Sequence, residues 1–330
     1  MWFNIILANH GGASAVVGQT PLVNYIRNML SLCGHEVTVV YDNPNPRAIN
    51  LYFEHFLGST WAEQFLAFRR SGIKIGVIAT ELMVTAAGKR QIPYAQHGVA
   101  YPGDAQNRAR LNLLRMEGFE AILGEVDFVW TFLKRTAEEY RHDTKFCEFL
   151  PVGSTGPIAD YARRSPKDID VFFYGKNTPH RMRVLQTMAQ NGTKVLAVGQ
   201  GFPGDWVPSC IIESLEDRAK IGLNLTLNGL EESHAIGVDP RFVSCGRVPE
   251  MLTRQVCIVS EDIPLDNPYS EFMESTEVEA LSDLCRKLLD RETWADEAAS
   301  KSARFHEMMD VRVVCRPVIE RTLAAIMSGD

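Results

Sequence analysis

Glycines that end apolar runs, with basic residues close behind them, are where this chain's residue types and spacing point to chemistry. Val171–Tyr174 (VFFY) stops at Gly175, with Lys176 next and Arg181 shortly after. Lys194–Val198 (KVLAV) stops at Gly199. Arg241, in Asp239-Pro240-Arg241, opens a segment that also carries Arg247, and the following run Val256–Ser260 (VCIVS) ends at Glu261. Asn224 is a polar residue inside the apolar run Ile221–Leu225. Cations and backbone amides at strand ends and helix starts can hold an anion. A second group could take a proton. His10 lies in the polar loop Asn9–Ser14, Glu81 follows IKIGVIAT, and His97 sits in Gln96-His97-Gly98. Glu54 and His55 follow the Leu51–Phe53 run.

Other patterns are excluded. Asp168-Ile169-Asp170 has the spacing of a metal-binding Asp-x-Asp, but it precedes its apolar run and reads as solvated turn residues. No His/Cys spacing suggests zinc, so no metal site is expected. Gly11-Gly12 does not complete a dinucleotide fingerprint, and no P-loop is present.

The elements that must position these residues alternate between strand and helix. Residues 3–8 (FNIILA) read as a strand. Residues 20–33 have helical apolar spacing, with Thr20 as cap and Pro21 in the first turn, and Gly34 ends the helix. Glu36–Tyr41 is the next strand, so strand, helix and strand make a parallel βαβ unit. Ile49–Phe53, Ile73–Ala79, Asp127–Phe132 and Cys147–Leu150 continue the strands, with helices at 61–70, 104–123 and 133–141. Their apolar runs do not alternate, which fits a sheet covered on both faces. A Pro/Gly-rich joint, Pro151–Pro157, separates a second set. Its strands are Val171–Tyr174, Lys194–Val198, Cys210–Ile212, Ile221–Leu225 and Val256–Ser260. Helices are expected at 179–190, 215–220 and 240–253, with more from 277 onward. The reading is two doubly wound Rossmann-like α/β domains facing across a cleft, residues 1–151 and 152–310. In such sheets ligands bind beyond the carboxyl ends of the strands.

Length and composition agree. At 330 residues the chain exceeds one ordinary core. Hydrophobic residues are 45% and charged residues 23%, and the net charge of −7 gives no overall field for nucleic acid. Seven scattered cysteines form no Cys-x-x-Cys, no apolar run reaches roughly 18 residues, and the amino terminus has no secretory pattern. A cytoplasmic protein is expected, with no transmembrane segment.

Gly34-His35-Glu36-Val37-Thr38-Val39-Val40 resembles the first helix-to-strand joint of glycosyltransferases of the two-Rossmann-domain (GT-B) fold. The carboxyl half adds DVFFYGKNTPHR (170–181), KVLAVG (194–199), and RAKIGLNL (218–225) leading to RVPEMLTRQVCIVSE (247–261). These resemble the bacterial spore-maturation-type branch of the group 1 glycosyltransferases, in order and over nearly the whole chain. Thr253 and Gln255 stand where that pattern has a small Ala and a Gly. Phe242 stands where retaining members often carry a Glu eight residues before Glu250, and the Glu-x7-Glu at Glu271 and Glu279 falls after the closing strand.

The resemblance implies a metal-independent enzyme without a cofactor, moving sugar from a nucleotide-diphosphate donor to an acceptor hydroxyl. It implies that Gly175, Lys176, Arg181, Gly199, Asn224, Arg241, Arg247 and Glu261 hold the donor. It makes His10, His97 and Glu81 the candidates for the base. It also implies that a terminal helix, 311–327, crosses back onto the first domain, kinked at Pro317. Two alternatives stay open: a sugar-nucleotide epimerase on the same fold, and a non-catalytic member that binds a ligand or partner.

Overall fold

A computed structural model describes residues 1–7, 13–54, 59–80, 113–114, 116–156, 165–202, 207–226, 246–262 and 267–328. The chain forms two compact units, one holding the described residues up to Thr155 and again from Val311, the other Gly156–Asp310. Each contains one parallel sheet of the Rossmann-like α/β kind. Among the described residues, no helix is long and apolar enough to cross a membrane.

In the first unit the order of described strands is β2-β1-β3-β4-β5-β6. These are β1 (Trp2–Leu7), β2 (Glu36–Tyr41), β3 (Ile49–Phe53), β4 (Ile75–Ala79), β5 (Phe128–Thr131) and β6 (Cys147–Phe149). All residues of β3, β4 and β5 are buried, as continuous apolar runs require, while edge strand β2 is largely exposed. Ile75, Val77, Phe119, Ile122, Val129 and Tyr140 form one core cluster. Each such side chain contributes about 1.5–3 kcal/mol when fully buried. Two asparagines interrupt the apolar strands and are satisfied within the fold: Asn4 Nδ2 donates to Asn50 Oδ1 at 3.0 Å, and Asn50 Nδ2 donates to the Ala48 carbonyl at 3.1 Å.

Helix α1 (Ala13–Leu32) ends in a Schellman turn, in which His35 N donates to Leu30 O and Gly34 N to Ser31 O, with Gly34 at φ +92°. The expected start at Thr20 is corrected, because the helix begins at Ala13 and runs through Pro21. A proline forfeits one backbone hydrogen bond, and the anchored face Val23, Ile26, Met29 and Leu30 outweighs that loss. Among the described residues, helices α2 (Ser59–Arg70) and α3 (Lys134–Tyr140) also belong to this unit.

In the second unit the described strands run β11-β10-β9-β7-β8. They are β7 (Ile169–Tyr174), β8 (Val195–Val198), β9 (Ala219–Asn224), β10 (Cys257–Glu261) and β11 (Glu274–Thr276). Helices α4 (Pro179–Gln190), α5 (Ser209–Arg218), α6 (Arg247–Thr253), α7 (Leu281–Asp290) and α8 (Trp294–Met308) belong to it. Val171, Phe173, Leu185, Ile221, Val259 and Leu281 lie in its core.

Two further readings are corrected. The strand expected at Cys210–Ile212 is instead the first turn of α5, which begins after Pro208. Helical spacing puts Glu213, Glu216 and Asp217 on one face, where all three meet Arg254 at 2.8–3.2 Å. The terminal segment 311–327 is two helices, α9 (Val311–Val314) and α10 (Arg316–Met327), within the first unit. Pro317 starts α10 instead of kinking one long helix, since its missing N–H costs nothing in a first turn. Trp130 Nε1 donates to Thr322 Oγ1 at 2.8 Å, joining β5 to α10.

Candidate functional site

The carboxyl end of β7 is built around Gly175. Its N–H donates to Val198 O at 3.0 Å, and Asn177 N donates to Gln200 O at 2.7 Å, so the loops after β7 and β8 lie side by side. A Cβ on Gly199, at φ +119°, would sit 2.4 Å from Gly175 O. A Cβ on Gly175, at φ +151°, would sit 2.8 Å from Arg247 Nη2 and 3.2 Å from Arg181 Nη1. Both positions therefore need glycine, for close backbone approach and for backbone angles that L side chains avoid.

After this turn, Thr178 caps α4. Its backbone is extended, its Oγ1 accepts from Arg181 N at 3.3 Å, and Pro179 fills the first helical position. The cap brings His180 and Arg181 to the strand ends, both buried. Arg181 binds the loop together: Nη1 donates to Lys176 O at 2.9 Å, Nη2 to Leu225 O at 2.8 Å and Nε to Thr226 O at 2.9 Å. Burial, helped by the nearby Arg247 charge, pulls the Arg181 guanidinium down to about 9, with Glu261 acting against both.

Arg247 opens α6 and is 7% exposed. Its guanidinium lies 5.2 Å from the ring centroids of both Phe173 and Tyr174. Burial lowers its pKa, while Tyr174 and Glu216 hold it up. Arg247 and Arg181 thus converge on one glycine beside the amino terminus of α4. Two desolvated cations and a row of amide dipoles are a strong anion field.

Glu261 ends β10 and ties two elements to it. One oxygen meets His180 Nε2 at 2.9 Å, and the other accepts from Thr226 N. Asn224 Nδ2 donates to Ser260 Oγ at 2.9 Å, fastening β9 to β10. Lys176 is half-buried in the loop between Gly175 and the α4 cap.

The structure therefore gathers Gly175, Lys176, Arg181, Gly199, Asn224, Arg247 and Glu261 at one end of one sheet. Arg241, His10, His97 and Glu81 lie outside the described residues. His180 was not singled out from the sequence, although its place two residues after a Thr-Pro helix start was a usable signal. Glu54, at the carboxyl end of β3, is fully buried and accepts from Thr80 N at 3.0 Å and Thr80 Oγ1 at 2.7 Å. The Asp168–Asp170 pair lies at the opposite end of the sheet, bonded to Arg218 and Lys220.

No protein-family model matches the chain, and no curated protein matches its sequence. Solved structures do. AviGT4, a glycosyltransferase involved in avilamycin A biosynthesis, aligns at TM-score 0.51 and 11% identity over 99% of this chain and 98% of its own. The DNA-modifying enzyme β-glucosyltransferase aligns at TM-score 0.50 and 12% identity over 98% and 100%. TarM aligns at TM-score 0.47 and 10% identity over 84% of this chain, which spans 54% of TarM's length. At such identities the likeness concerns the fold, and the fold that this chain shares with AviGT4 and β-glucosyltransferase is the two-domain GT-B architecture.

Proposed function

We propose that the chain is a glycosyltransferase that takes a sugar from a nucleotide-diphosphate donor to an acceptor hydroxyl. One observation carries this reading: Arg247 and Arg181, both more than nine-tenths buried, converge on Gly175 at the amino terminus of α4. A diphosphate is the ligand that such a field suits. In transfer, the bond from the anomeric carbon to the diphosphate oxygen breaks and its electron pair leaves with the diphosphate. The acceptor oxygen bonds the anomeric carbon, and its proton passes to a base, for which His10, His97 and Glu81 are the candidates. Arg247 and the α4 amides offset the charge that grows on the leaving group, the role a divalent metal plays in other transferases. The fold it shares with AviGT4 and β-glucosyltransferase supports the reading, as do the motifs that resemble the spore-maturation-type branch. We assign donor binding to the second unit, acceptor binding to the first, and a cytoplasmic setting.

A melting-temperature panel of UDP, GDP, CDP, dTDP and ADP sugars tests it, since a ligand that binds only the native state raises the midpoint. A rise with one base, lost in Arg247→Ala, supports donor binding. Product formed from donor without acceptor would favour an epimerase. No rise with any donor would sink the proposal.

A further inference from the structure

Three side chains and the backbone of one residue close into a ring at the carboxyl end of the second sheet. Glu261 Oε2 meets His180 Nε2 at 2.9 Å, and Glu261 Oε1 accepts from Thr226 N. Thr226 O accepts in turn from Arg181 Nε at 2.9 Å, and Arg181 follows His180 in the first turn of α4. The ring joins the ends of β10 and β9 to the start of α4. Arg181 Nη1 carries it on to Lys176 O, in the loop after β7, at 2.9 Å. His180 and Arg181 are 6% exposed and Glu261 7%. Polar groups buried this far cost free energy unless they bond one another, and here they do. Mere fastening does not call for them. Asn224 and Ser260 already tie β9 to β10, and an apolar contact would seat α4 on the sheet at less cost.

We propose that Glu261 is a positioning residue for the diphosphate site instead of a holder of the donor's ribose. Through His180 it sets the first turn of α4, and through Thr226 and Arg181 it sets the Lys176 loop. This rests on the reading of that end of the sheet as a diphosphate site. Holding two neighbouring ribose hydroxyls takes both oxygens of a carboxylate on the ligand side. Each Glu261 oxygen is instead turned to a protein partner, from α4 or from the chain after β9. What the ring can control is placement. Thr178 fixes the α4 turn from the loop side, where its Oγ1 accepts from Arg181 N at 3.3 Å. Glu261 fixes the same turn from the sheet side. Amides and cations act on a diphosphate only at hydrogen-bond range, so a shift of about 1 Å in that turn is felt in affinity.

Isothermal titration of inorganic pyrophosphate, and of whichever of UDP, GDP, CDP, dTDP and ADP wild type binds, tests this in Glu261→Ala, His180→Ala, the double variant and Glu261→Gln. Each Ala variant should raise Kd about tenfold, and by the same factor for pyrophosphate and nucleotide, because the ring acts on the shared diphosphate. The double variant should be no weaker than Glu261→Ala, since both changes open one ring. Glu261→Gln keeps an oxygen for Thr226 N and an amide for His180, so its Kd should stay within about twofold of wild type. A loss for nucleotide with pyrophosphate unchanged would place Glu261 on the ribose and overturn the inference. So would a lowered melting midpoint with unchanged Kd, additive Ala effects, or a Gln variant as weak as Ala. If Glu261→Ala does not fold, His180→Ala and Glu261→Gln decide by the same pyrophosphate and nucleotide ratios. Wild type that binds pyrophosphate but no nucleotide or nucleotide sugar sinks the function, and the pyrophosphate ratios still decide the inference. Wild type that binds no pyrophosphate overturns the inference, and the function then stands or falls on the nucleotide sugars.

Discussion

The two ends of the second sheet handle charge in opposite ways. At the amino end, charges meet opposite charges: Asp168 with Arg218 at 2.6 Å and Asp170 with Lys220 at 2.6 Å near water, and Arg254 among Glu213, Glu216 and Asp217. At the carboxyl end, two arginines crowd one glycine; both lie over the Phe173 ring, and Arg181 is also fastened to carbonyls. The strands are the same, so the difference lies in what each end must do. The amino end closes turns. At the carboxyl end all parallel strands aim their loops, and the amino terminus of α4 adds its dipole. Paired surface ions add little, whereas a buried cation is costly unless polar groups meet it.

The largest expected effect tests whether the carboxyl end tolerates any extra atom. Gly199→Ala puts a Cβ against Gly175 O at 2.4 Å, with φ +119°. Neither backbone can retreat without breaking the Gly175–Val198 bond. We expect a loss of about 4 kcal/mol in urea unfolding. A loss under about 1 kcal/mol would mean that the two loops are not held together.

Arg247→Ala comes next. It removes the stacked cation but leaves Arg181 to hold the loop. Kd for the nucleotide sugar that wild type binds should rise about 100-fold by titration calorimetry, with a smaller change in stability. Equal effects from Arg181→Ala and Arg247→Ala on binding alone would erase the division between fastening and binding arginines. Glu261→Ala should cost about 2 kcal/mol of stability by leaving buried His180 and the Thr226 N–H without their acceptor.

A fourth effect is smaller and runs the other way. Gln255 follows α6 at φ +52°, in the same Schellman turn that Gly34 makes after α1: Val256 N donates to Met251 O and Gln255 N to Leu252 O. The resembled families keep glycine there, and here the turn forms with a strained glutamine. Lys167 Nζ reaches the Gln255 carbonyl at 3.4 Å, a backbone contact that any residue can offer. Gln255→Gly should therefore raise stability by roughly 0.5–1 kcal/mol in urea melts.

The same contrast shows what could be read from sequence. Apolar runs such as IGVIA and CIVSE announce buried strands, because a sheet covered on both faces has no polar side to show. Gly175, Gly199 and Lys176 were legible because strand ends are marked by where those runs stop. Glu216 was not. It shares a face with Glu213 and Asp217, and in one dimension that face reads as solvated. The His180–Glu261 and Tyr174–Glu250 bonds join residues far apart in the chain, and no local spacing encodes them. Cys210–Ile212 misled because three strand-favouring residues outweighed the helix start after Pro208, which only the Arg254 contacts make plain.

The smallest effect belongs to the amino end. Asp168 accepts from Arg218 Nε at 2.8 Å and Nη2 at 2.6 Å, and these bonds hold its carboxyl below the usual range. A depressed carboxyl adds stability above its ordinary pKa, and that stability is lost as pH falls through the depressed value. Both side chains stand in water, however, so salt and solvent screen the pair. Asp168→Asn should leave the melting midpoint unchanged at neutral pH and leave nucleotide-sugar binding untouched. A drop in affinity from this change would show that charge at the amino end reaches the ligand through the sheet. The two ends would then act as one electrostatic site, and the contrast between them would be lost.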